Sequence, residues 1–115
     1  MGLNAVSAVV TFLRSMRASW HYGAATRTTD PASVVRQYQR ALDLISPDRV
    51  DVEAPWCRSL IPFALVGYCN AAHKIGQPDA AAAALARWRP VYRQWLDKTL
   101  TEDERKAYAW LEAQP

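Results

Sequence analysis

The sequence predicts an all-α protein, two antiparallel helical hairpins followed by a C-terminal capping helix. Three observations predict it. Apolar residues recur at steps of three and four along most of the chain. No stretch carries the sustained period-two alternation of β-branched residues that a half-buried strand needs. Helix-starting and helix-stopping residues punctuate the apolar runs at Asp30-Pro31, Ser46-Pro47, Gly76, Gln77-Pro78 and Thr101. The 115 residues make one domain, long enough to bury a core without disulfides or a structural metal. With half the residues apolar and 22% charged, disordered and collagen-like classes are excluded.

The first helix should run from about Leu3 into the mid-twenties. Asn4, Ser7, Thr11 and Arg14 share one side, and Leu3, Val6, Val9, Val10, Leu13 and Met16 the other. The expectation is that the apolar side packs on the core. The alternative is a helix lying on a membrane, with Arg14 and Arg17 at headgroup level. The apolar run from Leu3 to Leu13 is too short to span a bilayer, and its charges follow it, the reverse of a secretory signal. The second helix is expected from Pro31 to about Ile45, capped by Asp30, with Val34, Val35, Tyr38, Ala41, Leu42 and Ile45 inward. An acidic connector, 47–54, carries Asp48, Asp51 and Glu53. The third helix should run from near Pro55 to Ile75, kinked or split by Pro62 and stopped by Gly76. The fourth opens at Gln77-Pro78-Asp79 and should bend near Arg87 because of Pro90. The last starts at the capping box Thr101-Glu102-Asp103-Glu104 and places Ala107, Tyr108 and Leu111 inward. The layout is thus hairpin 1 over about 3–46, the connector, hairpin 2 over about 55–99 and a capping helix over 101–114.

A weak repeat links the hairpins. Residues 22–31, YGAATRTTDP, align with 69–78, CNAAHKIGQP, at an offset of 47 residues. The Ala pairs match, as do Arg27 with Lys74 and Pro31 with Pro78. Residues 32–47, ASVVRQYQRALDLISP, resemble the second helix of a tetratricopeptide repeat through Tyr38, Ala41, Leu42 and Pro47. Residues 65–88 resemble a whole repeat more loosely, through Leu65, Cys69, Gly76, Ala81 and Leu85. The repeat length of 47 and Ala72 in place of the family's tyrosine depart from the pattern. The resemblance covers 32–88 and implies a helical-hairpin scaffold whose concave groove takes a peptide or a partner helix, with no catalytic residues.

Motifs for chemistry are sparse. The sequence has no GxGxxG, GxxxxGK[ST], HExxH, CxxC or GxSxG. Two cysteines, Cys57 and Cys69, do not make a disulfide scaffold and suit free thiols in a reducing, cytoplasmic compartment. Cys69 and His73 share a helix face and could begin a zinc site with Cys57 and His21, or form a nucleophile–base pair. The plainer reading packs Cys69 in the core and places His73 at the end of the helix, so no cofactor is expected. A net charge of +3 is too mild to imply nucleic acid.

Aromatic residues give the best pointer to a function. Five Trp and five Tyr are more than a small helical core needs, so some should lie in surface patches, where they mark interaction sites. In residues 87–96, RWRPVYRQWL, Trp88, Tyr92 and Trp95 form one stripe beside Arg89 and Arg93; this is either core edged by arginine stems or a recognition surface. The reading is a non-catalytic adaptor, chaperone-like protein or regulatory subunit. Its partner groove is expected around Trp20, Tyr22, Tyr68 and His73, rimmed by Arg27 and Lys74, with Arg89 and Arg93 contributing. The rivals are a nucleic-acid or anion binder using Arg87, Arg89, Arg93 and Trp88, and a small metal- or thiol-dependent enzyme using Cys69 and His73. Self-association through exposed Trp is a further route.

Overall fold

The computed structural model describes residues 2–47 and 58–115. Five α-helices and one 3-10 turn are found among them, and no strand. They are α1 (Gly2–Arg27), α2 (Pro31–Leu44), α3 (Ile61–Lys74), α4 (Pro78–Tyr92), the 3-10 turn Arg93–Trp95, and α5 (Glu102–Glu112). The acidic connector from Asp48 to Glu53, the expected third-helix start at Pro55, and Trp56 and Cys57 lie outside the described residues. So do the side chains of Leu3, Asn4 and Ser7.

The boundaries follow from local chemistry. The carboxylate of Asp30 accepts from the Ser33 backbone N–H (3.0 Å) and hydroxyl (2.7 Å), and Pro31 fills the first helical position, where its missing N–H is not needed. These bonds hold the Asp30 carboxyl below its usual range. Gly76 ends α3 with φ of 72°, a conformation that L side chains resist. Its N–H reaches His73 O (3.1 Å) and the Gln77 N–H reaches Ala72 O (2.8 Å), the paired bonds of a Schellman stop. Thr101 and Glu104 complete a reciprocal capping box on α5.

The two interior prolines sit differently in their helices. Arg58 is helical, Ser59 and Leu60 form a turn, and α3 begins at Ile61 with Pro62 in its first turn, so the chain is split at this proline, one of the two expected outcomes. Pro90 lies inside α4, which stays helical through Arg87 to Tyr92 before tightening into the 3-10 turn.

Short turns at Thr28–Asp30 and Ile75–Gln77 fold α1 onto α2 and α3 onto α4 as neighbours. Helix α3 is central: α2, α4 and α5 all pack on it. The core gathers Tyr38, Leu42, Ile61, Leu65, Trp88, Tyr92, Trp95, Tyr108 and Leu111.

The first helix reverses its expected orientation. Thr11, Ser15, Ala18 and Ala25 are buried, whereas Val6, Val9, Val10, Leu13 and Met16 are exposed, with Phe12 and Trp20. At 1.5 Å per residue, the 26 residues of α1 reach about 39 Å against about 21 Å for the 14 residues of α2. The small stripe lets the backbones approach closely; the bulky stripe is left on the far side.

One close approach sets the spacing of α2 and α3. The Tyr38 ring lies over Gly67, where a Cβ would collide with the ring and its hydroxyl. Alanine would gain about 1 kcal/mol of helix propensity there. Overpacking against a buried ring costs about 1–3 kcal/mol. Gly67→Ala is therefore expected to lower the denaturant midpoint with little change in slope, and Tyr38→Leu in the same chain should recover part of the loss. An unchanged midpoint would mean the ring has room to move.

Candidate functional site

A groove runs along the outer face of α3. Its floor is Phe63, Val66, Gly67, Asn70, Ala71 and Lys74, spaced three and four apart so that they form one stripe. Two clefts meet at Tyr38 and Gly67. One, of about 400 Å³, is walled by the end of α1, the Thr28–Thr29 turn, and Pro31 and Val34, with Lys74 at its far end. The other, of about 430 Å³, lies between Tyr22 of α1 and Asp103, Lys106, Ala107 and Trp110 of α5. Tyr22 meets Tyr38 edge to face, with centroids 5.8 Å apart and planes at 68°. Burial pushes the Tyr38 phenol up, so it stays a neutral hydrogen-bonding group at neutral pH.

Six of the eight expected site residues fall in four places. Tyr22 and Lys74 line the groove, one in each cleft. Trp20 lies outside it, on the outer face of α1 beside Leu13, Met16 and Arg17. Tyr68 is on the opposite side of α3, buried by Leu42, Trp88 and their neighbours. His73 and Arg27 are exposed but do not line the groove, and the Arg27 guanidinium folds back beside Gly23.

Arg89 and Arg93 hold α5 in place. Arg89 donates to the Leu111 carbonyl (3.1 Å) and to that of Gln114, satisfying acceptors at the end of α5. Arg93 binds the Glu112 carboxylate through two nitrogens, each at 2.9 Å. Arg87 donates to Ser46 Oγ (2.7 Å) and lies 4.0 Å from Asp43. Trp88, Tyr92 and Trp95 are buried. The Arg–aromatic segment is thus a joint between helices. Its aromatics are core, so they offer no face for a base to stack on.

Tyr38, Phe63, Val66 and Trp110 line the groove without having been expected there. Gly67 in the middle of a helical pattern was the available signal, since an interior glycine marks a close backbone approach. Cys69 is fully buried, its Sγ 4.0 Å from the Ala81 carbonyl, and burial pushes its thiol up to about 11. His73, one turn on, is exposed, and His21 Nδ1 pairs with Gln37 Oε1 at 2.7 Å. Among the described residues, no three His, Cys, Asp or Glu side chains come together as metal ligands.

Two predictions follow from these environments. Alkylation of native protein at neutral pH, read by peptide mapping, should leave Cys69 unmodified until denaturant is added, because a buried neutral thiol is a poor nucleophile; fast labelling would contradict that burial. The bidentate Arg93 contact holds the Glu112 carboxyl below its usual range, so its stabilising effect is full above the unfolded carboxylate value and is lost as pH falls through the folded one. Glu112→Gln should flatten the acid limb of a melting-temperature profile and leave the alkaline limb unchanged. An acid limb as steep as that of the parent would remove Glu112 from the account.

No protein-family model, curated protein or solved structure matches this chain.

Proposed function

We propose that this chain is a non-catalytic protein–protein interaction module of the tetratricopeptide-repeat kind, an adaptor, chaperone-like factor or regulatory subunit of the cytoplasm, and that it captures a partner peptide or helix along α3. The observation that carries this reading is the groove, with a floor supplied by the first helix of the second hairpin and walls from the first helix of the first hairpin and the capping helix. Aromatic and aliphatic side chains line the cleft beside α5, Thr26, Thr28, Thr29 and Asn70 share the other with apolar residues, and charge enters as Lys74 at one end and Asp103 with Lys106 at the other. Such a lining rewards apolar anchors and fixes their direction by end charges.

The floor from Phe63 to Lys74 spans about 16 Å, the length of three turns of a helix or about five residues of extended chain, and the Tyr38 ring seated on Gly67 divides it into two clefts that a bound segment would bridge. The matching ligand has apolar residues three and four apart and an acidic residue at the Lys74 end. The anion-binding alternative is weakened because Arg87, Arg89 and Arg93 are spent on internal contacts. A thiol mechanism is weakened by the buried, neutral Cys69.

Selection of a random peptide library on the intact protein tests the reading. Enriched peptides should carry that pattern, and Val66→Glu or Lys74→Glu should each weaken them by about tenfold or more while helicity is retained. No enrichment, or peptides that bind both variants like the parent, would overturn it.

A further inference from the structure

The outer face of α1 is a second surface, separate from the groove and sharing no residue with it. Val6, Val9, Val10, Phe12, Leu13, Met16 and Trp20 are each between 40 and 61% exposed. Exposure of one such residue is ordinary, but seven on one helix are a patch that calls for a ligand. At about 100° per residue, the centre of this sector lies about 180° from the buried stripe of Thr11, Ser15 and Ala18. The sector is about 160° wide and, from Val6 to Trp20, about 21 Å long. It forms a ridge that faces directly away from the body, so a flat surface can meet it without touching the other helices.

We propose that this ridge docks on an anionic phospholipid surface, lying in the plane of the interface. Charge selects the occupant. Residues 1–29 contain Arg14, Arg17 and Arg27 and neither Asp nor Glu. Arg17 sits against Leu13, Met16 and Trp20, and on its other side shares a shallow basin with Arg40, His21 and Asp43. A second copy of α1 would bring no carboxylate to Arg17 in either orientation, because the helix holds neither Asp nor Glu. A coiled-coil seam would cover only a narrow stripe and leave Val10 or Phe12 in water. A bilayer covers the whole sector, takes Trp20, at the sector's centre, into the boundary between headgroups and acyl chains, and pairs Arg17, toward its edge, with lipid phosphate. The helix lies on the surface rather than crossing it, because no helix among the described residues is long and apolar enough to span a membrane.

The test is co-sedimentation of the whole chain with vesicles of phosphatidylcholine alone, and of phosphatidylcholine and phosphatidylglycerol in equal parts. The protein should pellet with the anionic vesicles and be released by salt. Leu13→Glu with Met16→Glu should weaken binding by about a hundredfold, since two large apolar contacts are lost. Both positions are exposed, so circular dichroism should be unchanged. Arg17→Glu should remove the preference for phosphatidylglycerol. Parent protein that stays in the supernatant, or a double variant that pellets equally, would overturn the proposal. So would a dimer in sedimentation velocity that the double variant dissolves, which would assign the ridge to a second copy. None of these failures would alter the peptide-selection result, which reads the groove.

Discussion

Three helices packing on one is the constraint on which the rest of this structure depends. Helix α3 is approached by α2, α4 and α5, and small residues over part of its surface let them come near. Its buried positions include Ala64, Cys69, Ala71 and Ala72, and Gly67 accepts the Tyr38 ring. Tyr38, Leu42, Trp88, Tyr92 and Tyr108 of the neighbours fill the space beside these small residues, with Ile61, Leu65 and Tyr68 of α3 itself. The division has a functional consequence. Part of α3's surface becomes the floor of a groove on either side of the Tyr38 ring, walled by residues of α1, α2 and α5.

Electrostatics keeps one of those walls upright. Helix α5 is short, and its contact with the body combines apolar residues (Ala107, Tyr108, Leu111) with the arginines of the α4 end. Arg89 satisfies carbonyls at the end of α5, which would otherwise lack partners, and Arg93 clamps Glu112 in a two-pronged contact that a lysine could not form. The arginines that looked like a recognition surface thereby shape the groove indirectly, by fixing the helix that carries Trp110 and Lys106.

Helix α1 contributes to two surfaces by the same periodicity. Its C-terminal part places Tyr22 and Ala25 toward the body and the groove, while the preceding turns place Leu13, Met16 and Trp20 outward. A helix with small residues on one side and large ones on the other has two ways to be amphipathic. Close packing favours the small side wherever a neighbouring backbone can come near, as Ala18 at 0% exposure shows.

The helical elements, their order and most of their ends were determined by the sequence itself, because those are decided within a few residues. Asp30 with Pro31, Gly76 in its left-handed turn, and the Thr101–Glu104 box act on backbone groups next to them and need no distant partner. The side chosen by each helix, and the work of each exposed-looking side chain, depended on what stood opposite. Periodicity names a stripe but not its neighbour, so Val9 and Leu13 read as core and lie outside. Trp88, Tyr92 and Trp95 fitted core or surface equally well and lie inside. Arg89 and Arg93 carry the same charge whether they face a ligand or the end of α5, and only the fold brings Leu111, Glu112 and Gln114 to them. The groove had no motif of its own, since it exists where Tyr22, Tyr38, Gly67 and Trp110, far apart in the chain, are brought together from α1, α2, α3 and α5.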